Sequence, residues 1–206
     1  RSKLVYEEDK TVKALWRPFV KKIYYSEKDL SDRLTSHHFS MFGKNLRATH
    51  RIIYLPAPPL GNEPQVLAAN CPVDYHFVGD TACFPEVLDS PSGQHVPNIT
   101  SWALEQFKKQ YQPGRGKKAR PINKEAIFHY VYGVLHDPVY REKYALNLRR
   151  EFPRIPFYTD FWQWADWGRA LMELHIGYES VAPAKLKRTD VPDEKARKAG
   201  LAPKAL

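Results

Sequence analysis

The sequence is short of the residues that staple small secreted folds: Cys71 and Cys83 are its only cysteines among 206 residues. Two thiols cannot build a disulfide framework and suit a reducing compartment, so the expected location is cytoplasmic. Long apolar runs are missing as well. No stretch approaches the ~20 residues that span a bilayer, and no signal-peptide pattern opens the chain. The chain starts at Arg1 and not at Met, which suggests a fragment of something longer. Glycine-rich nucleotide signatures are also lacking. GRGKK, at 114–118, has neither the spacing nor the Ser/Thr of a phosphate-binding loop. No internal repeat is visible.

Acidic charge is scarce relative to basic. Lys and Arg number 32 against 23 Asp and Glu, a net charge of +9, and the pI is near 9.4. A surplus of this size makes nucleic acid the first partner to consider; a basic protein without a polyanionic partner is the plainer alternative. At 43% hydrophobic residues the chain can bury a full core, as one large domain or two joined lobes.

What is present changes character along the chain. Up to Pro91 there are short β-branched and aromatic runs punctuated by proline: VKALWRPFVKKIYY, HRIIYLPAPPLG, PQVLAANCPVDYHFVGDTACFPEVL. These read as short strands with edges and bulges, not as a regular parallel sheet. After Pro97 the period becomes helical. Thr100 is placed to cap a helix to Tyr111, with Ile99 stapled onto Leu104, and Asn123 to cap a second helix with Ile127, Tyr130, Val131, Val134 and Leu135 on its buried stripe. Asp137-Pro138 starts a third helix, expected to reach about Arg150. Pro153 and Pro156 impose an extended link, and a fourth helix fits Phe161 to His175 between Asp160 and Gly177. The expectation is an α+β fold: a β-rich part at 1–91, a helical part at 92–182 packed against it, and a weakly packed basic tail at 183–206.

A search for chemistry finds none. A methyltransferase would need a cofactor loop and an Asn/Asp-Pro-Pro-aromatic motif, which Asn70-Cys71-Pro72 and Ala57-Pro58-Pro59 do not match. A metal-dependent nuclease would need clustered carboxylates, and TDFWQWAD offers only Asp160 and Asp166, on largely different helix faces. Cys71, His76, Cys83 and His95 are too evenly scattered for a zinc site, and His37 and His38 are adjacent, so no metal is expected. Trp162, Trp164 and Trp167 could form a stacking platform, but at helical spacing aromatics are more often core.

One stretch carries specific sequence without catalytic residues: EAIFHYVYGVLHDPVYREKYALNLRREFPRIPF. It resembles the C-terminal target-recognition region of type ISP single-polypeptide restriction–modification enzymes, with a weaker similarity to type IIG enzymes. NITSWALEQF, CFPEVL and WRPFVKKIYY upstream, and FWQWADWGRALMELHIGYE downstream, continue the resemblance in the family's order over residues 14 to 179. The boxes themselves read as structural, with Phe128, Tyr130, Tyr132 and Tyr144 as core and PRIPF as a strap. The loop PGRGKKARPIN is longer and more basic than the family pattern.

The resemblance implies a specificity domain of a larger enzyme that also carries a nuclease, a helicase-like ATPase and an N6-adenine methyltransferase. It implies double-stranded DNA and the parent's methyltransferase domain as partners. AdoMet, ATP and Mg would then belong to the parent's other domains, with no cofactor in this chain. Base reading requires Arg, Lys, Asn or Gln at groove edges. The polar segment HHFSMFGKNLRATHR supplies Lys44, Asn45, Arg47 and Arg51 as candidates, and Asn62 and Gln65 offer a second surface. Arg17, Lys21, Lys22, Arg115, Lys117 and Lys118 are candidates for phosphate contact. A docking domain for the parent methyltransferase or helicase, and a small DNA-acting enzyme, are the competing readings.

Overall fold

The computed structural model describes residues 5–31, 34–59, 65–90, 92–112 and 120–185, together with Lys198 and Gly200. Asn62, Arg115, Lys117, Lys118 and most of the 183–206 tail therefore lie outside the described residues.

β1 (Thr11–Arg17) and β2 (Val20–Tyr25) form an antiparallel hairpin with the two-residue loop Pro18-Phe19. Helix α1 (Ser36–Phe42) follows, then a three-stranded antiparallel sheet in the order β4 (Leu67–Ala69), β3 (Ile52–Pro56), β5 (Thr81–Pro85). A second hairpin pairs β6 (Val87–Asp89) with β7 (His95–Pro97), and β6 packs on α1. The remaining described elements are helical: α2 (Ser101–Tyr111), α3 (Lys124–Leu135), α4 (Pro138–Lys143), α5 (Ala145–Arg150) and α6 (Phe161–Ile176). This is the α+β arrangement read from the sequence, and all named strand pairs are antiparallel.

β3 explains how the two parts become one body. All five of its residues are buried, so it has no solvent face. Because side chains alternate along a strand, Ile53 and Leu55 enter the helical core while Ile52 and Tyr54 enter the N-terminal core with Leu15, Phe42, Leu46 and Phe77. The strand is the shared wall between two hydrophobic clusters.

The helix caps follow the sequence closely. Thr100 Oγ1 accepts from the Ala103 amide at 3.1 Å, Asn123 Oδ1 from Ala126 at 2.7 Å and Asp160 Oδ1 from Gln163 at 3.2 Å. The expected third helix is instead two, bent at Tyr144 (φ −108°, ψ 19°). Tyr140 and Leu148 are both buried. Eight residues apart on a straight helix they would point roughly 80° apart, and the bend lets each reach the core. Tyr144 itself is 37% exposed, so its expected core role is corrected to a flank of Tyr140.

α3 and α6 cross at near backbone contact. A Cβ at Gly168 would lie 1.9 Å from the His129 carbonyl oxygen, and one at Gly133 would lie 2.6 Å from that of Trp164. The link from Pro153 to Tyr158 is held by tyrosine hydroxyls. Tyr140 donates to the Arg154 carbonyl (3.0 Å), Tyr130 to Pro156 (2.8 Å) and Tyr111 to Tyr158 (2.6 Å), while the Tyr158 amide donates back to Tyr130 (2.7 Å). An extended strap has no ladder to satisfy its carbonyls, and the tyrosines do so. Of the tryptophans, Trp162 and Trp164 pack against the helical core, whereas Trp167 is half exposed.

Candidate nucleic-acid interface

Sequence alone suggests a polar segment with few core positions over 37–51; its first half is helix α1. His38 turns back to its start, where the Thr35 amide donates to His38 Nδ1 at 3.1 Å. Met41, Phe42 and Leu46 are buried, so the segment carries more core than its polarity suggests. The chain leaves α1 through Gly43 (φ +72°) and reaches Leu46, also at positive φ (+54°). Such a conformation is costly for a branched side chain. Burial of Leu46 at 2% exposure holds it there, and the residues around it, Lys44, Asn45 and Arg47, are left exposed.

The four base-reading candidates therefore do not share one environment. Lys44 and Asn45 form no hydrogen bond or ion pair with the described residues. Arg47 is exposed but lies over the start of β1, donating to the carbonyls of Glu8 and Thr11, each at 3.2 Å. Arg51 faces inward. Its guanidinium forks onto Glu86 (Nε to Oε2 2.6 Å, Nη2 to Oε1 2.8 Å) and also reaches Glu125 Oε1 at 2.9 Å. Glu86 lies between β5 and β6, and Glu125 in the first turn of α3, so Arg51 joins the β-rich part to the helical part. Hydrogen bonding from Arg51, against a smaller effect of burial, holds the Glu125 carboxyl below its usual range.

The phosphate candidates on the first hairpin cluster near its turn, with Lys21 and Lys22 on opposite faces of β2. Lys21 pairs with Glu179 at 2.5 Å, Arg17 pairs with Asp74 at 2.5 Å, and Lys22 lies 4.0 Å from the centre of the Trp16 ring. At the tip, Phe19 (φ +61°) packs edge-on against Tyr178 at 5.0 Å and near His175. This contact and the Lys21 pair latch the hairpin to the end of α6. The described lysines and arginines of the hairpin thus share one body with the α1 loop, connected through Arg47 and β1. Arg120, beside the basic loop, stacks 3.6 Å from the Trp162 ring centre and donates to both Asp166 oxygens at 3.0 Å.

Both thiols and the buried His129 are quenched rather than activated. Burial pushes the Cys83 thiol up to about 11 and raises Cys71 as well. A thiol so shifted stays protonated near neutrality and is a poor nucleophile. His129 is fully buried, neither ring nitrogen has a protein partner among the described residues, and burial lowers it to about 4. Sequence reasoning missed one grouping, in which Asp89 accepts from both His50 and His95. His50 and Asp89 are far apart in the chain, so no spacing motif could reveal it. Among the described residues no helix is long and apolar enough to cross a membrane.

Comparison with known proteins places this geometry in context. A family model described as the type ISP C-terminal specificity domain matches residues 1–203. A solved chain from the cryo-EM structure of a DrdV–DNA complex is 43% identical, with a TM-score of 0.84, covering 93% of this chain and 18% of that one. A nuclease-deletion mutant of the type ISP restriction–modification enzyme LlaGI, in complex with a DNA substrate mimic, is 26% identical (TM-score 0.69; 89% and 15% covered). The ATP-dependent type ISP enzyme LlaBIII bound to DNA is 22% identical (TM-score 0.73; 89% and 12% covered), a likeness of fold alone. The chain thus spans less than a fifth of the length of these solved chains. No curated protein matches it.

Proposed function

The chain belongs to the type ISP C-terminal specificity domain family, and from that membership we propose that it reads a target sequence in duplex DNA for a larger restriction–modification enzyme, without catalysing a reaction itself. The observation that carries this reading is the family match over nearly the whole chain. The geometry supports it, because the exposed Lys44 and Asn45 lie on the same body as a cationic hairpin edge.

Roles divide by how each cation is held. Lys44 and Asn45 carry base reading, with Arg47 at the margin of the same surface. Arg51, already forked onto two carboxylates, serves as the staple that fixes the reading loop's frame. Arg17 and Lys21 exchange half-buried Asp74 and exposed Glu179 for phosphates. The exchange costs little, since exposed ion pairs contribute only about 0–1 kcal/mol. Lys22 adds charge beside Trp16, and Arg115, Lys117 and Lys118, which lie outside the described residues, are further candidates for phosphate contact.

The nuclease, helicase-like ATPase and N6-adenine methyltransferase of the parent, with AdoMet, ATP and Mg, lie in other parts of that enzyme. The residues here fit none of those groups, lacking a nucleotide loop and a target-base motif. The methyltransferase domain is the neighbour this chain serves, in the cytoplasm. A second reading, docking onto the parent's other domains, draws on one observation: Phe84 and Phe152, 39% and 47% exposed, meet edge-on beside Pro153.

Binding of labelled duplex, across a salt series and a panel of single-base substitutions in the parent's site, tests the reading. Affinity is expected to fall steeply with salt, as phosphate neutralisation releases counterions. Asn45→Ala is expected to cost about 1–3 kcal/mol at one base position only. Lys21→Ala with Lys22→Ala is expected to weaken all sites alike and flatten the salt slope by about two. A flat salt response, with tight binding to the parent core, would favour docking instead.

A further inference from the structure

We propose that His50, Asp89 and His95 form a binding site for a divalent transition-metal ion such as zinc, which clamps the second hairpin to the reading loop. His50 Nε2 lies 3.0 Å, and His95 Nδ1 2.7 Å, from the same oxygen, Asp89 Oδ1. One ligand atom from each of the three residues falls within 4.8 Å of the other two. Both rings aim at one oxygen instead of taking one each, so ligand atoms from three residues gather around one point. The rings stand edge to face at 4.9 Å and 77°, which keeps them from stacking over that point.

The two nitrogen–oxygen distances are close to the spacing of ligands that share one ion. Three ligands held at ~2.0–2.1 Å in tetrahedral array sit roughly 3.3 Å from one another. Binding needs an imidazole lone pair from each ring, so the proton each ring shares with Asp89 moves to its other nitrogen. Two imidazoles and a carboxylate suit zinc, iron, nickel or copper and not the hard ions magnesium or calcium. Three protein ligands leave a position for water.

The site is anchored on two separate stretches of chain. His50 and Asp89 side chains are only 12% and 18% exposed, while His95 is 65% exposed at the rim and gives the ion a way in. Asp89 and His95 are cross-strand partners in the β6–β7 register, whereas His50 immediately precedes Arg51 and β3. A Cβ at Gly43 would lie 3.4 Å from Asp89 Oδ2, so the loop carrying Lys44 and Asn45 leaves α1 directly beside the carboxylate.

The test needs no DNA, so its failure and that of the recognition reading are distinguishable. Protein freed of metal by chelator dialysis is titrated with Zn2+ against a chromophoric chelator, and with Co2+ followed by its visible spectrum. The expected result is one saturable equivalent and a Co2+ spectrum without thiolate charge transfer. Asp89→Asn and His95→Ala should each weaken binding by about tenfold or more, and Cys71→Ser with Cys83→Ser should leave it unchanged. Circular dichroism checks each variant's fold; His95 is at an exposed edge, so its variant stays informative if Asp89→Asn unfolds. Absence of saturable binding, a folded His95→Ala variant that binds as the parent does, or loss of binding in the double Ser variant would each overturn the proposal.

Discussion

Asp137 shows how one side chain in a helix start can do more than its sequence motif states. As the N-cap of α4 its carboxylate accepts from the Val139 amide at 3.0 Å and the Tyr140 amide at 3.3 Å. It also accepts from the Tyr158 hydroxyl at 2.6 Å, which ties the helix start to the end of the proline strap. A cap alone is worth about 1 kcal/mol, and a hydrogen bond to a charged group about 1.5–3 kcal/mol. Asp137→Ala is therefore expected to destabilise by about 2.5–4 kcal/mol in chemical denaturation; a loss near zero would show that neither contact contributes. Tyr130→Phe probes the strap separately. It strands the Tyr158 amide and the Pro156 carbonyl, and the expected cost is about 1–3 kcal/mol. The cap was legible from Asp-Pro. The Tyr158 bond was not, because it spans 21 positions and only the folded strap brings the two together. Arg51 is the same lesson at the candidate site: its type suits base reading, and only its two carboxylate partners, 35 and 74 positions away, reveal a staple.

Among the elements, those with local signals were read well and those set by tertiary contact were not. α2, α3 and α6 start at the capping residues that the sequence announces, and β1, β3, β5 and β7 end at or just before a proline. α1 carries no helical signal in the sequence, because His37, His38, Phe39 and Ser40 give no broad apolar stripe. It is a short helix whose burial comes from Met41 and Phe42 at its end. The bend at Tyr144 has no glycine or proline to signal it. The α3–α6 crossing is also invisible locally, since Gly133 and Gly168 look like ordinary weak points within helical patterns. In the fold each lets a backbone carbonyl of the other helix approach. Gly168→Ala places a methyl group where the His129 carbonyl already sits, and backbone cannot swing aside as a side-chain end does. The expected penalty is at the upper end of overpacking, about 3 kcal/mol, despite alanine's better helix propensity. A melting temperature equal to or above that of the parent would mean that the helices do not cross this closely.

For the molecule as a whole, the same joint that unites two cores makes stability depend on pH. Arg51 bridges the β-rich and helical parts through Glu86 and Glu125, and His129 is buried one helical turn beyond Glu125. Burial first, then the positive charges of Arg51 and Arg169, lower His129 from 6.5 to about 4. Because its folded value lies below its unfolded one, the unfolded chain takes up a proton first as pH falls. Stability from a neutral buried His129 is fully present above pH 6.5 and is lost progressively between about 6.5 and 4. A shift of this size corresponds to roughly 3 kcal/mol. Glu125 acts in the same direction: its lowered carboxyl contributes above its unfolded value and is lost on further acidification. His136 and His175, lowered chiefly by burial, add to the acid weakening. The total slope therefore does not identify His129, but a difference does. Denaturation midpoints at pH 7, 5.5 and 4 are expected to fall less for His129→Leu than for the parent, with most of the gap opening between pH 6.5 and 4. Parallel lines would place the acid sensitivity in the other histidines, and would mean that the joint between the two cores does not hold an uncharged ring.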